Sequence, residues 1–296
     1  MIFTSGPMFG RLLTAMVTPF AADGSVDLEG AADLARYLVD DLGTDGLVIS
    51  GTTGEAPTTT DQEKAELLTT VISAVGDRAS VIAGVGTFDT RHTVELISVA
   101  DQAGADGALV VTPYYSRPPQ SGLLRHFATV ADSTALPIMI YDIPQRAGTP
   151  VATETMIELA RHPQIVAVKD AKGDLTASSK VMAATDLLYY SGDDANTLPL
   201  LSVGGVGLVG TSTHFSAVGA KQMIEAYLDG KVEEALRLHR QLLPIFTGVF
   251  ATQGCILVKA GLELQGRAVG GLRSPMVPAT DEQKVALQQA LTAAGL

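Results

Sequence analysis

Residues 137–171 read PIMIYDIPQRAGTPVATETMIELARHPQIVAVKDA. The stretch opens with an apolar run, PIMIYDIP (137–144), turns through a loop holding Gly148 and Pro150, takes up helical spacing over Thr153–Arg161, and returns to a second apolar run, IVAVKDA (165–171). Both runs are apolar at positions of either parity, as strands covered on both faces should be. Six more runs of this kind occur: LLTAMVTPF (12–20), GLVISG (46–51), ASVIAGVG (79–86), GALVVTP (107–113), LLYYSGDD (187–194) and GVGLVGTST (205–213). Amphipathic segments follow them at Val26–Leu42, Thr60–Val75 and Thr90–Ala103. In the first, Leu28, Ala31, Ala32, Ala35, Leu38 and Val39 share one face. Strand then helix, eight times at about 30 residues per unit, predicts an α/β fold, the (β/α)8 TIM barrel. A doubly wound open sheet would carry a glycine-rich phosphate fingerprint after its first strand, and LLTAMVTPFAADGS has none. An eighth barrel helix is expected over Ala217–Leu228, and further helices over Glu233–Ala251, Ile256–Leu264 and Asp281–Ala294. The chain thus divides into a barrel (1–230) and a C-terminal helical extension (231–296) packed on it as one structural unit.

Composition narrows the function. The 296 residues are 46% hydrophobic, enough for a large core, and 32 acidic against 20 basic residues give a net charge of −12, which disfavours nucleic acid as a partner. Mean hydropathy is +0.26, yet the longest apolar runs fall far short of the about 20 residues a membrane span needs. One cysteine, Cys255, allows no internal disulfide, and Met1–Gly10 lacks the pattern of a secretory leader, so a cytoplasmic location is expected. Cys255 lies among apolar residues and reads as a small hydrophobe. The histidines His92, His126, His162, His214 and His239 are scattered without metal-ligand spacing, and the first three with His239 fall on predicted helices, where solvated or helix-face roles are expected. Asp193-Asp194 lacks a third ligand, so no metal is expected. No phosphate-binding loop appears.

Barrels of this kind build their sites where the strands end. Lys169 follows four apolar residues, where an ammonium would be poorly solvated and its amine available to attack a carbonyl. The alternative is a strand-end lysine reaching solvent or pairing with Asp170. Gly51-Thr52-Thr53-Gly54 offers hydroxyls and backbone N–H groups for a small carboxylate, or simply a capping turn. Tyr141, inside an apolar strand, needs a partner for its hydroxyl and could relay protons, or be a satisfied core residue. Arg146 could grip a second carboxylate, or be a surface arginine.

In order, GTTGE (51–55), VTPYYSRPPQ (111–120), YDIPQRAG (141–148), VAVKDAKGD (166–174) and YYSGDD (189–194) resemble the strand-end motifs of the dihydrodipicolinate synthase and N-acetylneuraminate lyase superfamily of Schiff-base barrels. The resemblance implies a lyase without cofactor or metal, in which Lys169 condenses with pyruvate and the resulting enamine attacks L-aspartate 4-semialdehyde. It implies that Tyr141 shuttles protons, that Thr52 links Tyr141 to Tyr115 arriving from the neighbouring subunit of a homotetramer (a dimer of dimers) or a dimer, and that Thr53 holds the pyruvate carboxylate. Arg146 would receive the semialdehyde carboxylate, while Gly192 and Val209 would line the pyruvate pocket. Departures are Gln145 and Ala147 flanking Arg146, and Val209 where isoleucine is common. Asp61 and Lys64 stand where lysine-inhibited members carry histidines, so inhibition by lysine is not expected. Other activities of the superfamily remain open: a 2-keto-3-deoxy sugar acid aldolase, or N-acetylneuraminate lyase, against which Arg146 speaks. So does a catalytically silent barrel that binds a keto acid.

Overall fold

A computed structural model describes residues 6–296; part of the N-terminal stretch read above, residues 1–5, lies outside the described residues. Each of the eight apolar runs contains a strand: β1 (Leu12–Ala15), β2 (Gly46–Ile49), β3 (Ser80–Gly84), β4 (Gly107–Val111), β5 (Ile138–Asp142), β6 (Ile165–Asp170), β7 (Leu188–Ser191) and β8 (Gly207–Gly210). They pair in parallel in sequence order, and β8 closes on β1 with Leu13 opposite Val209. The strands are shorter than the runs because the tail of each run forms the loop at its C-terminal end, where the site residues lie.

The connecting helices are α1 (Leu28–Arg36), α2 (Asp61–Val75), α3 (Thr90–Ala103), α4 (Gln120–Asp132), the short α5 (Pro144–Ala147), α6 (Thr153–Leu159), α7 (Leu175–Ala184), α8 (Thr197–Ser202) and α9 (Thr213–Leu228). After them come α10 (Val232–Gly248), α11 (Gly254–Leu264) and α12 (Asp281–Ala294), with α10 packed on α9 and α12. Side-chain caps set several starts: Asp27, Asp89 and Asp174 each accept a first-turn N–H, and Thr60 forms a reciprocal capping box with Glu63. Four helices escape the sequence pattern, among them the four-residue α5, which lies where a loop was expected. α4 begins directly after Pro119 and carries Gly122, α7 holds two serines, and α8 has only six residues including Pro199. Past Arg36 the expected first helix widens into a π turn, Tyr37–Asp41.

Apolar side chains form two shells. The larger lies between strands and helices, and the inner one fills the barrel with Leu13, Val48, Ile82, Leu109, Met139, Ala167, Tyr190 and Val209. Side chains alternate along a strand, so Tyr141 joins the inner shell and Ile140 the outer. Among the described residues no helix is long and apolar enough to cross a membrane.

Candidate active site

Strand register sets the centre of the site. Tyr141 on β5 lies directly opposite Lys169 on β6, and both point into the barrel at its C-terminal end. Lys169 is 4% exposed, and its Nζ sits 4.4 Å from the centroid of the Tyr141 ring. Among the described residues no carboxylate comes within ion-pair distance of that Nζ. Burial brings the Lys169 pKa down to about 8; the charge of Asp194 opposes this and that of Arg146 adds to it. At pH 7 about one lysine in ten is then the neutral amine, against roughly one in three thousand at the ordinary value. Gly192 makes room for this side chain: a Cβ there would stand 3.0 Å from Lys169 Cγ and from Ala171 Cβ. Val209 is buried in the inner shell with Tyr141.

Tyr141 is held on its phenol as well as its ring. Its hydroxyl hydrogen-bonds Thr52, and burial pushes its pKa up to about 12 despite the nearby Arg146 charge and that hydrogen bond. It therefore stays protonated at neutral pH and can give a proton to an atom bound at Lys169. The threonine turn beside it is tied internally by the Gly54 N–H to the Gly51 carbonyl (3.1 Å) and the Glu55 N–H to the Thr52 carbonyl (3.2 Å). Thr18 Oγ donates to the Gly54 carbonyl at 2.7 Å. Thr53 is buried, with its Oγ 3.2 Å from Thr211 Oγ, whereas Thr52 is exposed at the barrel mouth.

Arg146 lies on α5, whose Pro144 starts the turn and whose Gly148 ends it in the left-handed conformation. The guanidinium is exposed and donates to Gln253 Oε1 at 2.6 Å, so the residue before α11 reaches the mouth. Tyr115 is the one expected site residue that the single chain leaves outside: it is 93% exposed on a left-handed backbone (φ 71°). Thr52, Thr53, Tyr141, Lys169, Gly192, Val209 and Arg146 all gather at one end of the barrel.

Other residues at this rim were not assigned roles by sequence. Asp194 is fully buried and accepts N–H bonds from Thr211 (3.2 Å) and Ser212 (2.9 Å), joining the end of β7 to that of β8. His214 is also fully buried; its Nε2 accepts from the Val17 N–H (3.2 Å) and its Nδ1 meets the Thr211 carbonyl (2.8 Å). Burial takes its pKa to about 4, so it stays neutral as this pattern requires. His126, expected on a solvated helix face, is buried too, with Nδ1 2.9 Å from Thr90 Oγ and a pKa lowered by burial to about 4. Cys255 is buried and its thiol pKa raised, mainly by burial. Among the described residues no cluster of His, Cys, Asp and Glu is arranged to hold a metal ion.

An eight-stranded barrel with a desolvated lysine and a buried tyrosine side by side at its catalytic end defines a lysine-dependent barrel enzyme. Residues 8–294 match the model of the dihydrodipicolinate synthetase family, and the chain belongs to that family. It is 65% identical to the 4-hydroxy-tetrahydrodipicolinate synthase of Acidothermus cellulolyticus over 97% of this chain and 93% of the relative. With the enzyme of that name from Cutibacterium acnes it shares 61% identity over 94% and 95%. Among solved structures, it matches a dihydrodipicolinate synthase from Cyanidioschyzon merolae with lysine bound at a TM-score of 0.95, 42% identity, and coverage of 98% and 99%. The chloride-inhibited enzyme from Acinetobacter baumannii, complexed with pyruvate, matches at 0.93, with 31% identity and coverage of 97% and 99%.

Proposed function

We infer that the chain is a lyase with the activity for which its relatives are named, 4-hydroxy-tetrahydrodipicolinate synthase, in the biosynthesis of diaminopimelate and lysine. The observation that carries the chemistry is Lys169: buried, without an ion-pair partner among the described residues, and packed on Tyr141. Its neutral amine attacks the C2 carbonyl of pyruvate, and loss of water leaves an iminium on Nζ. The iminium withdraws electrons, a methyl proton leaves, and the resulting enamine carbon bonds to the aldehyde carbon of L-aspartate 4-semialdehyde. Attack by the substrate amine on C2 then closes the ring and frees Lys169. Tyr141, protonated and joined to Thr52, moves protons to and from these oxygens. Thr53 and the turn N–H groups take the pyruvate carboxylate, with Gly192 and Val209 lining that pocket. Arg146, steadied by Gln253, takes the carboxylate of the aldehyde. The covalent Schiff base is itself the electron sink, so the reaction uses no cofactor and no metal.

Tyr115 completes the relay from a second copy of the chain, in keeping with its exposure and its left-handed backbone. The assembly is a homotetramer built as a dimer of dimers, and its location the cytoplasm. Turnover of pyruvate with L-aspartate 4-semialdehyde tests the reading. The kcat/KM for that pair should exceed by orders of magnitude any cleavage of 2-keto-3-deoxy sugar acids or N-acetylneuraminate; a reversed ranking would reassign the substrate. L-Lysine at millimolar concentration should leave turnover unchanged, because Asp61 is bonded to His92 (2.8 Å) and paired with Lys64 (3.5 Å). Inhibition at that level would refute it.

A further inference from the structure

The threonine turn is bracketed by Ser50 (φ 57°) and Glu55 (φ 56°), both left-handed although neither is glycine. Such backbones persist where the surroundings over-determine them, and they concentrate at functional sites. Between them, among the described residues, the N–H groups of Thr52 and Thr53 have no protein partner, so they are free to meet a carboxylate.

What fixes Glu55 comes from the far end of the chain. Its carboxylate, with the side chain 2% exposed, pairs with Lys259 Nζ at 2.8 Å, itself 4% exposed on α11. The Arg273 N–H donates to Glu55 Oε2 at 3.0 Å. Lys259 Nζ also donates to the Gly271 carbonyl at 2.6 Å, and the Lys259 and Arg273 cations lie 4.2 and 4.5 Å from the centroid of the Phe20 ring. Arg273 goes on to the carbonyls of Gly24 (2.9 Å) and Thr58 (2.8 Å) and to Glu63 (2.9 Å). Gly270 lets this strap lie flat, since a Cβ there would stand 1.7 Å from the Phe20 carbonyl oxygen. A buried ion pair is a poor source of stability compared with well-packed apolar side chains of similar volume. What it supplies is direction: a fixed carboxylate position one residue beyond the turn.

We propose that Glu55 and Lys259 are positioning residues for the pyruvate carboxylate, the C-terminal extension acting through them to hold Thr52–Gly54 in the shape that presents Thr53 and the two N–H groups. This rests on the function proposed above and adds to it a role for the extension. The test is the double variant Glu55→Gln with Lys259→Met, which leaves no lone charge buried. The pyruvate concentration giving half-maximal borohydride trapping on Lys169 should rise about tenfold. The kcat at saturating pyruvate should fall by a smaller factor than the pyruvate half-saturation rises, since Thr52 of the relay stands on the same turn, and the KM for the aldehyde should not move. Glu55→Gln alone keeps one acceptor oxygen, for either Lys259 Nζ or the Arg273 N–H but not both, and so carries the test if the double variant does not fold; a rise of about threefold is then expected. A folded variant that half-saturates at the parent's pyruvate concentration overturns the proposal. A parent protein that traps no pyruvate at all overturns the function itself, and this role with it.

Discussion

Lys169 and Asp170 are adjacent at the end of β6 and nearly equally buried, at 4% and 7% exposure, yet their surroundings are opposite. Lys169 points inward against the Tyr141 ring with no ion-pair partner among the described residues. Asp170 points outward beneath the helices, where Ser178 Oγ and the Lys172 N–H (2.9 Å) donate to it. Its neighbour across the register, Asp142, receives the Val151 N–H (3.2 Å) and pairs with Lys172 at 3.4 Å. The period-two alternation of a strand thus sorts charged residues into two classes. The inward lysine is deprived of partners and kept reactive, and the outward carboxylates are bonded and hold the strand ends together.

The contrast breaks most visibly at Lys169. Lys169→Met should lower kcat/KM about 10⁴-fold or more and at the same time stabilise the fold. The sign follows from linkage: the folded-state pKa lies below the ordinary 10.5, so the folded protein bears the penalty at pH values below about 8 and loses it as pH rises towards 10.5. Relief at pH 7 is worth up to about 3 kcal/mol, read from denaturant midpoints; a destabilised Met variant would contradict the assigned environment. Tyr141→Phe removes only the proton relay and should lower kcat by about 10²- to 10³-fold with the fold intact.

On the outer side the signs reverse. Asp170→Ala strands the Lys172 N–H and leaves the Ser178 hydroxyl only the Asp174 carbonyl (3.0 Å), and should destabilise by about 2 kcal/mol, with kcat changed far less than by either inward substitution. An equal loss of activity in the folded variant would erase the distinction. The smallest effect is a pH dependence. Burial pushes the Asp142 carboxyl up to about 6, opposed by Lys172 and the Val151 N–H, so the folded chain holds this proton more tightly than the unfolded one. Its contribution to stability therefore grows as pH falls from about 6 towards 4. Asp142→Asn should flatten that part of the difference between the two stability curves.

The strands were legible because a sheet covered on both faces demands uninterrupted apolar runs, and the order of PIMIYDIP, IVAVKDA and their six counterparts carried the closed barrel with it. Lys169, Tyr141 and Arg146 were legible as chemistry-bearing residues where such runs end. The outer network was not: Asp170 reads equally well as the partner of Lys169, and only the alternation seen in three dimensions separates them. Nor could spacing pair Glu55 with Lys259, some two hundred positions apart in the chain. A weak signal was present, since Lys259 is the lone charge in GCILVKAG (254–261), where every residue is buried. Asp194 and His214 likewise tie neighbouring strand ends through bonds that leave no local pattern.

The most direct test of the central claim is the pH dependence of borohydride trapping by pyruvate, with the adduct located by peptide mass spectrometry. A single reduced pyruvyl group on Lys169, formed at a rate that rises with pH to a midpoint near 8, is the predicted result. An adduct on another lysine, or a midpoint near the ordinary 10.5, would contradict it.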